Sequence, residues 1–272
     1  MIPQAHITAW RNVAPWPDDA QVEQDLVLSR ATVELFGDAD LSEQIALRGG
    51  TALNKLFITP GVRYSEDIDL VQTKGGPGGP LIDAIRDRLD PWLGKPKRDQ
   101  AEGGFSLLYR FESEIPPVRP LRLKIEINTR EHFSVLGLQS RQMQVANPWF
   151  TAEAGIRTYR LDELMGTKLR ALYQRRKGRD LFDLWLCLDR KLIEPKQVIA
   201  CFLKYVENEG HAITRAQFEQ NLYGKQNDAA FMDDIAPLLS ADVQYDSAEA
   251  MRLVRAKLID HLPGAPWQGD ES

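Results

Sequence analysis

Asp67 and Asp69 are the residues around which a chemistry can be built. They lie in Asp67-Ile68-Asp69-Leu70-Val71-Gln72, where acids alternate with aliphatics. On a strand, successive side chains point to opposite faces. Both carboxylates then share one face while Ile68 and Leu70 enter a core. Two carboxylates about 7 Å apart along a strand can hold divalent cations between them. The pattern is common by itself. With 39 acids among 272 residues, about five or six acid-x-acid pairs arise by chance, and Glu23/Asp25, Asp38/Asp40, Glu112/Glu114 and Glu207/Glu209 are others. Alternation with large aliphatics sets Asp67/Asp69 apart.

Two further segments extend the pattern. Leu121, Leu123, Ile125 and Ile127 form one face of a second strand, with Arg122, Lys124, Glu126 and Asn128 on the other. Glu126 is a third carboxylate if this strand lies beside the first, and an ordinary solvent-facing acid if it does not. Leu47-Arg48-Gly49-Gly50-Thr51 reads as a strand end, two glycines and a hydroxyl opening a helix. Such a turn lets backbone N–H groups approach a phosphate, and the helix dipole favours the anion. A Gly pair before a helix equally suits a plain tight turn.

The elements that must position these residues follow from periodicity. Helical spacing is expected from Ala20 to Phe36, ended by Gly37, and again over Thr51–Phe57 and Leu81–Leu93. Strands are expected over Gln44–Arg48, Asp67–Gln72, Phe105–Phe111 and Leu121–Asn128, with Lys74–Pro80 a loop. After Asn147-Pro148 the pattern changes, and Leu161 to about His261 is helical throughout. The expected organisation is an α/β domain over residues 1–150 and an all-helical domain over 151–272, with the boundary near 148–156 and a frayed tail over Pro263–Ser272. No repeat of solenoid length is visible.

The helical half carries its own charge pattern. From Leu164 to Arg179 there is no acid, while Lys168, Arg170, Arg175, Arg176, Lys177 and Arg179 supply six bases. Lys168 falls near the packed side of its helix, four residues from Leu164 and Leu172. This block reads either as a cationic helix end favoured by the macrodipole or as a basic patch for a polyanion. Asp180 and Asp183 follow Gly178, where they could simply charge the start of the next helix. The four histidines are dispersed and make no metal site or dyad. The six tryptophans read as packing residues, with Trp149 near the boundary the one best placed to stack on a base.

Taken together, Gly49-Gly50-Thr51-Ala52-Leu53, Arg63-x-Ser65-x-Asp67-Ile68-Asp69-Leu70, Asp162-Glu163 through Lys168-Leu169-Arg170-Ala171-Leu172, and Arg179-Asp180-Leu181-Phe182-Asp183-Leu184 resemble the AbiEii/AbiGii nucleotidyltransferase toxins. These include the MenT-like enzymes of the DNA polymerase β-type superfamily. The resemblance runs from about residue 45 to residue 190, in order. It implies an α+β fold: a nucleotidyltransferase-type mixed sheet with flanking helices, followed by a helical domain that completes an active-site cleft. It implies transfer of a nucleoside monophosphate from an NTP to an RNA acceptor, notably the tRNA 3′ end, within a toxin–antitoxin or phage-defence system.

The resemblance assigns roles by position. Asp67, Asp69 and Glu126 hold Mg2+ (or Mn2+) in a two-ion site. Gly49, Gly50, Thr51, Arg63 and Ser65 bind the nucleotide, and Ser65 is a position where some members are phosphorylated. Lys168 reaches the nucleotide phosphates. Asp180 is the acid of the Arg-Asp motif, with Arg179 and Asp183 beside it. The implied partners are an NTP, an RNA and a cognate antitoxin. Gly-Gly-Thr stands where the wider superfamily often has Gly-Ser.

Composition narrows the alternatives. The formal charge is −5, from 34 Lys+Arg and 39 Asp+Glu. That excludes indiscriminate coating of duplexes while leaving room for a local basic site. The two cysteines form neither a disulfide framework nor a zinc site, so a reducing cytoplasm is expected. No signal peptide and no membrane span are read. Two other functions remain open: transfer to a small molecule such as an aminoglycoside or to a protein side chain, and nucleotide binding without turnover. A cationic antibiotic favours an acidic site, so the basic block argues against the first of these.

Overall fold

The computed structural model describes residues 2–101 and 103–269. By internal contacts the chain divides into two units. The first takes the residues up to Ser134 with Leu138–Tyr159 and Leu238–Asp242. The second takes Val135–Gly137, Arg160–Pro237 and the residues from Val243 on.

The first unit holds a seven-stranded mixed sheet. Its strands are β1 (Ile45–Arg48), β2 (Asp67–Gln72), β3 (Lys97–Ala101), β4 (Gly104–Glu112), β5 (Pro120–Asn128), β6 (Leu138–Asn147) and β7 (Phe150–Tyr159). The order across the sheet is β3-β4-β5-β2-β1-β7-β6. β2 is therefore near the centre, parallel to β5 and antiparallel to β1, and β1 runs parallel to β7. The alternation read from the sequence is realised: Ile68, Leu70, Leu123, Ile125 and Ile127 are buried while Asp67 and Asp69 are only partly so. Burying each such aliphatic contributes about 1.5–3 kcal/mol, which pins the register.

Five helices accompany the sheet: α1 (Gln4–Trp10), α2 (Asp19–Gly37), α3 (Ala39–Ser42), α4 (Gly49–Leu56) and α5 (Gly78–Leu93). Asp18 caps α2 by accepting from the Ala20 N–H at 2.9 Å. α2 realises the helix expected over Ala20–Phe36 and is buried nearly all round, because α1, α5 and strands β5 and β7 all pack on it. Its buried Asp25 is satisfied by the indole N–H groups of Trp10 (2.8 Å) and Trp16 (3.0 Å) and by Lys55 (2.6 Å). Those two tryptophans thus pack and donate.

The second unit holds α6 (Leu161–Gln174), α7 (Gly178–Asp189), α8 (Pro195–Asn208), α9 (Arg215–Gln226), α10 (Ala229–Asp233) and α11 (Ser247–Lys257). α6 packs on α7 and α8, and α7 on α11. Buried Glu163 accepts from the Val135 N–H (2.7 Å), the Leu136 N–H (2.9 Å) and the Tyr205 hydroxyl (2.9 Å). Lys225 closes the C-terminal end of α6 by donating to the carbonyls of Leu172 and Tyr173. Its burial lowers its pKa to about 8. Cys187 and Cys201 are buried free thiols, and burial raises both pKa values.

The structure corrects several sequence expectations. The β6–β7 hairpin had not been anticipated; its exposed positions are polar on an edge strand, so the apolar alternation is weak. It carries the first unit to Tyr159, past the boundary expected near 148–156. Short β3 is a charged edge strand that carries no apolar signal. Helix α5 starts at Gly78, inside the expected loop, and α4 at Gly49 and not at Thr51. The expected frayed tail lies partly outside the described residues, which end at 269.

Candidate active site

The site is built where β1, α4, β2 and β5 meet. Register places Arg48 opposite Asp69 across the β1–β2 pair. Across the parallel pair, Asp67 is opposite Lys124 and Asp69 is opposite Glu126. The three carboxylates expected from the sequence therefore stand on one face of two adjacent strands.

The two glycines are needed for close approach. Gly49 has φ +74°, a left-handed conformation, and a Cβ there would lie 2.0 Å from Asp69 Oδ2. A Cβ on Gly50 would lie 2.4 Å from the Arg63 guanidinium and 3.1 Å from Ser65 Oγ. Only hydrogen fits at either position, so Asp69, Arg63 and Ser65 all reach the start of α4. No side chain caps that helix start at Arg48, and its first turn holds no acid.

Thr51 is buried, and its hydroxyl donates to the Asp67 carbonyl at 2.5 Å. Ser65 Oγ lies 2.9 Å from Thr51 Oγ1 and is left to donate to it. Thr51 thus ties α4 to β2 and positions Ser65; its own hydroxyl is already engaged. Arg63 is almost fully buried and donates to the Tyr64 carbonyl at 3.0 Å.

The carboxylates crowd one another. Burial, then the charges of Glu66, Asp69 and Glu126, raise Asp67 to about 6, with Lys124 opposing. Glu126 is ion-paired with Lys124. Arg48 meets Glu131 at 2.5 Å, which raises its pKa together with the charge of Asp69 despite burial. A pocket of about 450 Å3 opens beside these groups, lined by Arg48, Asp69, Asp99, Ser106, Lys124, Glu126 and Asn128 among others. That size is in the range that holds small ligands.

The donor set suits a hard divalent cation: three carboxylates without nitrogen or sulfur ligands, mutually repelling. Among the described residues, no three His, Cys, Asp or Glu side chains are gathered tightly enough to hold an ion as they stand. Lys124 instead pairs with Glu126. Lys124, Arg48 and Glu66 were not singled out from the sequence. The signals were there: Lys124 shares the Glu126 face by strand alternation, and Arg48 and Glu66 adjoin the glycines and Asp67.

The second unit gathers Lys168, Arg175, Asp180 and Asp183. Lys168 Nζ lies 3.0 Å from carboxylate oxygens of both aspartates. Arg175 forks onto Asp180 at 2.7 and 2.9 Å. Both aspartates are fully buried. Burial alone would raise Asp180, but Lys168 and Arg175 override it and hold it at about 2. Arg179 is not in this cluster; its backbone N–H reaches Asp234 at 3.3 Å.

The acid-free block is not a bare basic patch. Arg170 pairs with Glu209 (2.8 Å), Arg176 with Asp228 (3.0 Å) and Lys177 with Asp234 (3.7 Å), besides the pairs of Lys168 and Arg175. The missing acids come from farther along the chain. His132 bonds to the Gln72 carbonyl (2.7 Å). Trp149 packs edge-on against Trp92 (5.7 Å between ring centroids) and under the Arg30 guanidinium.

Comparison with known proteins agrees with this architecture. The family model described as nucleotidyl transferase AbiEii toxin, type IV TA system, matches residues 33–252. No curated protein sequence matches significantly. Among solved structures, MenT4, a nucleotidyltransferase toxin from Mycobacterium tuberculosis H37Rv, is similar with a TM-score of 0.64 and 15% identity, over 97% of this chain and 91% of that one. A crystal structure from H. pylori, assigned as a nucleotidyltransferase, is similar with a TM-score of 0.53 and 18% identity, over 88% and 93%. At such identities the likeness shows the fold, a nucleotidyltransferase-type mixed sheet. The family match spans most of the sequence, and the chain belongs to the AbiEii nucleotidyl transferase toxin family.

Proposed function

We propose that the chain is a divalent-cation-dependent nucleotidyltransferase that moves a nucleoside monophosphate from an NTP to an RNA end, with tRNA the first acceptor to test. The observation that carries the chemistry is the placing of Asp67, Asp69 and Glu126 on adjacent strands against the glycine turn of α4. Asp67, Asp69 and Glu126 would hold Mg2+, which when bound offsets charge on the attacking and leaving oxygens of an in-line displacement. The uncapped start of α4 receives the phosphates through backbone N–H groups. Ser65, held beside the turn by Thr51, turns its hydroxyl from Thr51 to a phosphate oxygen when the nucleotide binds, and Arg63 supports the same turn. The acceptor hydroxyl forms its bond to the α-phosphorus as the bond to the bridging oxygen breaks and pyrophosphate leaves. Glu126 takes the hydroxyl proton. In the second unit, Lys168 and Asp180 act by fixing α6 to α7. A cognate antitoxin is the expected protein partner, in keeping with the type IV toxin–antitoxin description of the family.

The RNA acceptor rests on the family resemblance; the ion-paired Leu164–Arg179 block lends it no support. One observation favours a second reading. The pocket beside the site is lined by Asp69, Asp99 and Glu126 against Arg48 and Lys124, a balance that leans acidic and so toward a cationic small molecule as acceptor. The test is incubation of the full chain with each radiolabelled NTP, Mg2+ and total tRNA, in parallel with an aminoglycoside panel. Label on tRNA, lost in Asp67→Ala, is the expected result. Label on the aminoglycoside alone selects the second reading. No transfer to either, or identical transfer by Asp67→Ala, overturns both. Among the described residues no helix is long and apolar enough to cross a membrane.

A further inference from the structure

Lys124 has no part in the chemistry above, yet it stands within the carboxylate face. It is two residues before Glu126 on β5, so the two side chains share a side of the strand. In the parallel pairing Lys124 is opposite Asp67, just as Glu126 is opposite Asp69. The four residues thus form a rectangle with three negative corners and one positive. The ammonium bonds Glu126 directly, and both line the pocket that Asp69 also lines. The pair is 36% and 48% exposed. Exposed pairs of this kind contribute little to stability, so a stabilising role does not account for a cation at this corner.

We infer that Lys124 is an internal counter-ion that stands in for the divalent cation and competes with it for Glu126. The inference rests on the reading of Asp67, Asp69 and Glu126 as the metal site. While the ammonium holds Glu126, only two carboxylates face an arriving ion. The third ligand is released when the ammonium leaves, and its exposure lets it turn to solvent without crossing the core. The exchange conserves the sense of the charge: one positive group departs as a doubly positive one enters. Lys124 thereby weakens metal binding to the nucleotide-free protein.

The experiment is Mn2+ binding to the full chain without nucleotide, read by electron paramagnetic resonance at fixed ionic strength. Wild type is compared with Lys124→Met, Lys124→Arg, Glu126→Gln, the Lys124→Met/Glu126→Gln double variant and Asp69→Asn, each checked for folding by its melting curve. Lys124→Met is expected to bind Mn2+ more tightly, by up to about five-fold, the limit to which the strength of an exposed ion pair converts. Lys124→Arg keeps the wild-type affinity. Most of the gain disappears when Glu126→Gln is already present. Equal or weaker binding in Lys124→Met, while Asp69→Asn abolishes binding, overturns the inference and leaves the metal site standing. A gain undiminished by Glu126→Gln overturns the competition for Glu126. Absence of Mn2+ binding in folded wild type and folded Lys124→Met overturns the metal site itself.

Discussion

The two units treat buried and half-buried charge in opposite ways. In the first, Asp67, Asp69, Glu66 and Glu126 share a region with Lys124, which pairs with Glu126, and Asp67 is pushed up to about 6. In the second, Asp180 and Asp183 are fully buried but held by Lys168 and Arg175, and Asp180 is held at about 2. The same residue type is a source of repulsion in one place and of cohesion in the other. The difference lies in the partners supplied by the chain. Where burial and repulsion outweigh pairing, an acid is pushed toward its neutral form; where cations match the acids, the cluster holds helices together.

That contrast breaks most readily at Asp180. Asp180→Ala leaves the Arg175 fork and part of the Lys168 shell unmatched, and should cost about 3–5 kcal/mol in denaturant unfolding. Because the folded pKa of Asp180 is below its unfolded value, its contribution is full above pH of about 4 and is lost as pH falls toward 2. An acid titration of wild type should show that loss, and Asp180→Ala should lack it. A variant as stable as wild type would erase the distinction between the two clusters.

Asp69→Asn should do the reverse. Transfer activity is expected to fall by about a hundred- to a thousand-fold, the scale at which single groups stabilising transition-state charge act. The melting temperature should move far less than the activity, since Asn keeps the shape of the side chain. Calorimetry beside a label-transfer assay separates the two effects. Equal losses in stability and activity would make the first cluster structural as well.

Asp67 sharpens the comparison through pH. Its folded pKa is above its unfolded one, so its ionised form opposes folding above about pH 6. Asp67→Asn should stabilise the metal-free chain at pH 8 by up to about 3 kcal/mol, with the gain fading as pH falls from about 6 to 4. Activity of wild type should fall through the same pH range, as the ligand takes a proton. A smaller effect is expected at Gly49. Gly49→Ala must hold an L-residue at φ +74° at a cost of about 1–2 kcal/mol. Its methyl must also displace Asp69, so activity should suffer more than stability.

What could be read from the sequence was whatever depended on short-range alternation. Asp67 and Asp69 were legible because Ile68 and Leu70 declare the inward face. Glu126 needed one more fact, which strand lies beside β2, and periodicity does not encode strand order. The basic block misled because charge was counted along the chain. Glu209, Asp228 and Asp234 neutralise it from as far as 57 residues away, the separation of Lys177 and Asp234. Lys168 was placed on the packed side of its helix, and it is buried; its two aspartate partners lie across the α6–α7 contact. The β6–β7 hairpin escaped notice because a polar edge strand lacks the apolar alternation by which strands are recognised.

The strands that hold the site also set when it can exist during synthesis. β2 must wait for β5, and β1 must wait for β7, where Leu47 is opposite Thr158 and accepts its hydroxyl at 2.7 Å. The segment leading to Ser65 waits longer still. The Tyr64 N–H bonds to the Leu238 carbonyl (2.8 Å), and the Ser240 N–H bonds to the Val62 carbonyl (3.0 Å). A ribosome-bound chain that has not released residue 240 therefore lacks the clamp on the backbone carrying Arg63 and Ser65. The backbone that carries Arg63 and Ser65 thus depends on contacts about 175 residues away in sequence, a long-range closure of the kind that slows folding.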